Sequence, residues 1–172
     1  LPNVKFRIGH VKNEIWLKFY VSEKHILARE TKTNGEVYKD SCVEFFISVD
    51  NNNYYNFEFS CIGTIHLAHG ESRNNRKFVD PAIVEKIKIV SSLGNQPFEE
   101  KSGNFEWEMM IRIPLNCFAF DNLKSLSELK ATANFYKCGD ETSKPHYITW
   151  NPIGVENPDY HRPVFFGKVE FE

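Results

Sequence analysis

Residues 42–62 read Cys42-Val43-Glu44-Phe45-Phe46-Ile47-Ser48-Val49, then Asp50-Asn51-Asn52-Asn53, then Tyr54-Tyr55-Asn56-Phe57-Glu58-Phe59-Ser60-Cys61-Ile62. In an extended chain successive side chains point to opposite faces, so every second residue shares a side. Val43, Phe45, Ile47 and Val49 therefore lie on one side of the first run, and Tyr55, Phe57, Phe59 and Cys61 on one side of the second. Asp and Asn tolerate left-handed backbone angles, so residues 50–53 predict a turn. The stretch is a β-hairpin with one apolar, core-seeking face. Glu44, Asn56 and Glu58 are left on its other face.

The same period recurs outward from this hairpin. Ile15, Leu17, Phe19 and Val21 alternate before it; a second short run from His25 to Thr31 ends in the turn Thr33-Asn34-Gly35. After it, Gly63 predicts a break or bend, and residues 68–80 read as a polar loop. Ile83 to Leu93 favours strand through its β-branched residues, and Gly94 to Asn104 is a polar connection. Phe105, Trp107, Met109, Ile111 and Ile113 alternate up to Pro114, which cannot donate to a ladder. Leu115 to Leu129 is the one plausible helical piece. Ala131 to Cys138, Tyr147 to Trp150 and Phe165 to Phe171 complete the set. Eight or more short strands without helical crossovers predict an all-β, antiparallel β-sandwich with at most one short helix.

The 172 residues suit one domain spanning 1–172, with a 41% apolar content and 15 Phe, 7 Tyr and 3 Trp to fill a core. A net charge of -2 with no basic stripe argues against nucleic acid as a partner. No apolar run approaches the roughly 20 residues of a membrane helix, which argues against membrane insertion. The chain opens at Leu1-Pro2-Asn3 without Met, which reads as a mature or trimmed chain with its targeting segment outside it. An extracytoplasmic location is the expectation. Cys42, Cys61, Cys117 and Cys138 match no zinc spacing and read as small buried thiols; a Cys42–Cys61 bridge is geometrically feasible if their strands pair.

No nucleophile elbow, zinc-protease helix, P-loop or dinucleotide glycine pattern occurs. Glu44 and Glu58 raise a glycosidase reading, but both lie on one sheet floor, where they would not flank a scissile bond. The same carboxylates with Asn56 suit sugar hydroxyls, which donate and accept hydrogen bonds. Alternatively they are simply the solvated face of an antiparallel sheet. His66 and His69 are too weak a pair to imply a metal, and Asp50 with its Asn run reads better as a turn than as a calcium loop. Tyr38 and Trp150, both flanked by loops, are candidate platforms for a sugar ring.

Val37-Tyr38-Lys39-Asp40-Ser41-Cys42-Val43-Glu44-Phe45-Phe46-Ile47 resembles the aromatic, acidic, V-E-x-F segment of family 9 carbohydrate-binding modules. Tyr54-Tyr55-Asn56-Phe57-Glu58-Phe59 resembles the strand that follows in that family. Ala133-Asn134-Phe135-Tyr136-Lys137-Cys138-Gly139-Asp140, Trp150-Asn151-Pro152, His161-Arg162-Pro163 and Phe165-Phe166-Gly167 are similar to its C-terminal half. The likeness spans roughly residues 13 to 171 and is strongest to a divergent subgroup in secreted or surface proteins of Bacteroidetes-type bacteria. It implies a β-sandwich shared with DOMON domains and non-catalytic binding of an oligo- or polysaccharide between two aromatic rings. By position it assigns ligand contact to Tyr38 (where better-studied members carry Trp), Glu44 and Trp150. Asn56, Glu58 and Asn134 join them from strand facing. Structural calcium occurs in characterised members, though no full ligand set is recognisable here. Two other readings stand beside it: a scaffold module within a polysaccharide-handling complex, and a haem-binding DOMON-like domain using Met110 and one of the six His.

Overall fold

The hairpin forms as its period predicts. In the computed structural model, which describes residues 1–172, β3 is Cys42–Ser48 and β4 is Tyr54–Ser60, joined in antiparallel register with Phe45 opposite Phe57. Asp50 Oδ1 closes the turn by accepting from the backbone N–H groups of Asn52 and Asn53, and Asn51 takes a φ of 60°. Gly63, at φ 90°, allows the tight reversal into the next strand.

The remaining strands are β1 (Asn3–Val11), β2 (Glu14–Ala28), β5 (Ile65–Gly70), β6 (Arg76–Phe78), β7 (Lys88–Ser91), β8 (Phe98–Pro114), β9 (Lys130–Cys138), β10 (Tyr147–Thr149) and β11 (Gly167–Glu170). They build a four-stranded sheet in the order β1-β2-β8-β7 and a seven-stranded sheet in the order β10-β9-β3-β4-β5-β6, with β11 also on β9. All pairings are antiparallel. The two sheets enclose one core, as a sandwich requires. Phe135 stacks on Phe6 at 3.8 Å and on Phe45 at 5.1 Å, and Phe45 stacks on Phe57 at 5.8 Å. This ring column crosses from one sheet to the other. Each such pair adds about 0.5–1.5 kcal/mol beyond the area it buries.

One charged group breaks the apolar pattern. Lys137, on the core side of β9, is 0% exposed and meets Glu23 of β2 at 2.9 Å. Its ammonium also donates to the Cys138 carbonyl and lies 2.8 Å from His146 Nε2, while Trp107 Nε1 donates to Glu23. The pair ties the sheets together where hydrocarbon does not.

Several expectations change. The polar break after Val21 does not end a strand, because β2 runs on to Ala28 through a register irregularity between Glu23 and His25. Residues 68–80 are not all loop: β5 ends and β6 forms there, each paired with a neighbour. Within 83–93 the strand is confined to β7, and the chain's one α-helix precedes it at α1 (Pro81–Val84), capped by Asp80. Leu115 to Leu129 holds only a single 3-10 turn, Leu115–Cys117. β8 begins at Phe98, inside the expected polar connection, and β1 supplies a strand that the sequence reading passed over. All four cysteines are buried and free. Cys42 and Cys61 do not bridge, since Cys42 lies opposite Ser60 and belongs to an outer cluster while Cys61 sits in the main core.

Losing one partner of a buried ion pair strands the other charge, at a cost of roughly 3–5 kcal/mol. Lys137→Met should lower unfolding free energy by about that amount in urea denaturation. Adding Glu23→Gln, which still accepts from Trp107, should restore most of the loss.

Candidate ligand-binding face

Alternation on the seven-stranded sheet gives its outer face a fixed set of side chains. Glu44 lies opposite Tyr136 on one side and Glu58 on the other, and Glu58 lies opposite His66. In the next row Phe46 stands between Asn134 and Asn56, and in the row beyond, Tyr54 aligns with Gly70 and Arg76. The sheet thus brings Glu44, Asn56, Glu58 and Asn134 together as expected.

It does not leave them solvated. The chain after β9 folds back across this face. Tyr160 stacks on Tyr136 at 4.0 Å and its hydroxyl donates to the Lys137 carbonyl, while Tyr136 Oη donates to the Tyr160 carbonyl. His161 lies over Phe46 with Nδ1 2.7 Å from Tyr54 Oη, and Phe166 packs edge-on against Tyr54. Arg73, in the β5–β6 turn, pairs with Asp159 at 2.9 Å and holds the far end of this cover. Glu44 and Glu58 are only 3% and 4% exposed as a result.

Buried polar groups need partners, and here several lack them. Asn56 Nδ2 donates to Glu58 Oε1, but Asn56 Oδ1, Glu58 Oε2, His66 Nε2 and Arg76 Nη1 have no hydrogen bond. His66 Nε2 and Arg76 Nη1 lie 4.0 and 3.9 Å from Glu58 Oε1, beyond hydrogen-bond reach. Each such group costs about 1–3 kcal/mol while unpaired. Phe78, 59% exposed, sets its ring edge-on to His66 at 5.2 Å and offers a flat apolar surface beside these atoms.

The other expected residues serve different ends. Asn134 spends its amide on the chain, donating to the Asn151 carbonyl and accepting from the Asn151 N–H. Tyr38 lies in the 3-10 turn Val37–Lys39, packed on the cluster of Val37, Cys42 and Cys138, with its hydroxyl on Glu36. Trp150 is half exposed. It packs edge-on against Phe6 and Phe135, over Gly167, at the seam between the sheets, because Phe135 points to the core while Tyr136 beside it points to the outer face. Tyr38 and Trp150 thus pack in different surroundings, one on the outer cluster and the other against rings at the sheet seam.

Glu44 is set apart from its row. Its Oε1 accepts from Cys138 Sγ at 3.1 Å, with Cys42 Sγ at 4.0 Å. Burial, then the neighbouring Cys138 and Glu58, push its carboxyl well above the ordinary carboxylate range. The sulfurs do not suit calcium, an oxygen-binding ion, and the Asp50 carboxylate is already used by its own turn. Met110, the methionine a haem would need, lies in register between Lys18 and Val90 with no histidine opposite it. His66, Arg76 and Phe78 were missed by sequence reasoning. Alternation of His66 with the buried Ile65 and Leu67 was the available signal for the first.

Two antiparallel sheets with a polar outer face define the class as a β-sandwich module. The chain belongs to carbohydrate-binding family 9, whose model matches residues 1–171. It is 40% identical to a candidate carbohydrate-binding protein of Bacteroides uniformis, at a TM-score of 0.96 over 99% of this chain and 79% of that one. Two structures of a family 9 module from Caldicellulosiruptor kristjanssonii share the fold at 13% identity. The complex with cellotriose aligns at a TM-score of 0.64 over 99% of this chain and 75% of the other, and that with glucose at 0.60 over 99% and 77%. No curated protein sequence matches the chain.

The cover carries a pH sensitivity. Burial first, then the charges of Arg76 and Arg73, push His161 down from 6.5 to about 3, against a smaller opposing pull from Asp159. Between those values the unfolded chain binds a proton that the folded chain refuses, so stability present above pH 6.5 is lost as pH falls. Denaturant unfolding of the wild type should therefore weaken between pH 7 and pH 5 by more than that of His161→Asn, the difference being at most about 2 kcal/mol.

Proposed function

We propose that this chain binds carbohydrate without chemically changing it, at the outer face of the seven-stranded sheet. The observation that carries the reading is the convergence of four unpaired buried polar atoms on Asn56, Glu58, His66 and Arg76. Two acceptor oxygens, a guanidinium and an imidazole nitrogen are the set that vicinal sugar hydroxyls complete, since each hydroxyl donates once and accepts twice. Phe78 supplies the apolar platform for a ring face, and Tyr38 with Glu44 lies at the opposite end of the same face. Membership of a family named for carbohydrate binding supports this, and the Caldicellulosiruptor module is complexed with cellotriose in one structure and glucose in another.

The protein acts as one binding module over residues 1–172, working outside the cytoplasm on an oligo- or polysaccharide. No helix of the chain is long and apolar enough to cross a membrane. The site has no arrangement of carboxylates flanking a scissile bond: Glu44 and Glu58 are adjacent on the same floor. Small polar sites of this kind bind in the micromolar to millimolar range, roughly -8 to -4 kcal/mol.

Calorimetric titration with glucose, cellotriose and a panel of plant and host oligosaccharides tests the reading. Saturable binding should fall at least tenfold, about 1.4 kcal/mol, in Arg76→Ala and in Glu58→Gln. Trp150→Ala should change it little. Absence of binding to any glycan, or binding that survives both polar substitutions, would refute the site.

A further inference from the structure

Cys42, Glu44 and Cys138 have a chemistry that a sugar does not use. Cys42 and Cys138 are register partners on adjacent strands, and both thiols turn towards Glu44 Oε1, at 4.0 and 3.1 Å. The three ligand atoms all lie within 4.8 Å of one another. The Tyr38 carbonyl oxygen lies 3.5 Å from Cys138 Sγ. In a tetrahedral zinc site, with Zn–S about 2.3 Å and Zn–O about 2.1 Å, a sulfur and an oxygen ligand stand about 3.6 Å apart. The observed separations of 3.1, 3.5 and 4.0 Å bracket that value.

Charge points the same way. The Glu44 carboxyl is buried beside two thiols and in register with Glu58, all acidic groups. No basic side chain makes a salt bridge to Glu44: the Lys137 ammonium is on the other side of β9 with Glu23, and Arg76 approaches Glu58 on the next strand. A buried carboxylate ordinarily has a cation or strong donors beside it, and thiols are weak donors. We propose that Cys42, Cys138 and Glu44, with the Tyr38 carbonyl as fourth donor, form a structural site for a thiophilic divalent cation of the zinc type. Two sulfurs select such an ion over magnesium or calcium. Binding releases the two thiol protons, with any proton held on Glu44, to solvent and leaves two thiolates and a carboxylate as ligands, so affinity rises with pH. Three buried side chains and one main-chain carbonyl close the site, which makes the ion a clamp between β3, β9 and the Tyr38 turn.

The test uses cobalt(II) as the probe and needs no glycan, so it stands or falls separately from the sugar reading. The full chain is unfolded with reductant and chelator, then refolded with and without cobalt. One equivalent should bind, with a sulfur-to-cobalt charge-transfer band and the strong visible bands of tetrahedral cobalt, both bleached by zinc. Cys61→Ser and Cys117→Ser should keep the spectrum, Cys42→Ser and Cys138→Ser should lose it, and Glu44→Gln should weaken binding at least tenfold. Should either outer-cluster serine variant fail to fold, the wild type remains decisive through elemental analysis, which should find about one zinc per chain. Four free thiols with no cobalt band overturn the proposal. So does a Cys42–Cys138 disulfide in the isolated protein, or a band that persists in a folded Cys138→Ser chain.

Discussion

The structure depends on one constraint: β3 and β4 are buried along their whole length on both faces. The inner faces are simple, since Phe45, Phe57 and Phe59 enter an aromatic core. The outer faces carry carboxylates, an amide and a thiol, and polar groups removed from water must find partners or raise the free energy of the fold. The cover laid over them bonds to Tyr54 of β4 through His161 and to the neighbouring β9 through Tyr160 and Asn151. The polar groups it leaves unmet gather where Arg76 and His66 approach Glu58. Function is read from that shortfall.

The core has its own polar exception in Lys137. A cation wholly inside a sandwich is tolerated because every one of its partners is local: Glu23, the Cys138 carbonyl and His146. Glu23 is shared with Trp107, so three strands of two sheets meet at one carboxylate. Lys137 and Cys138 are consecutive residues facing opposite ways, one anchoring the sheets to each other and the other opening onto the Glu44 cluster. The strand period separates a cationic environment from an acidic one by a single peptide bond.

Much of this was legible in the sequence. The hairpin of residues 42–62, the outward facing of Glu44, Asn56 and Glu58, and the all-β class followed from alternation alone, since burial of one face enforces a period of two. The segment 68–80 was misread because β6 is an edge strand of three residues whose polar side chains hide its pairing. That error removed Arg76 and Phe78 from view. The burial of the outer face was also invisible, for it depends on a long irregular return after β9 that has no periodicity to detect. Trp150 shows a different limit: its place beside a strand end was evident, but which side of β9 it would occupy depends on Gly167, whose missing side chain gives the indole room.

If the outer face is the sugar site proposed above, the return segment lying over it bears on rate as well as affinity. A ligand arriving from solvent meets exposed Phe78 and part-exposed Arg76 before it can touch Glu58 or His66, each less than a tenth exposed. Any deeper contact along the face towards Tyr54 and Tyr136 would require displacing His161 and Tyr160 from their hydrogen bonds and stacking. Association gated in this way runs slower than collision, and part of the interaction energy goes to moving the chain aside. On the proposed reading the same barrier acts in reverse, and a seated sugar would leave only as often as these contacts break. Such a module holds its ligand longer than its equilibrium affinity alone would indicate.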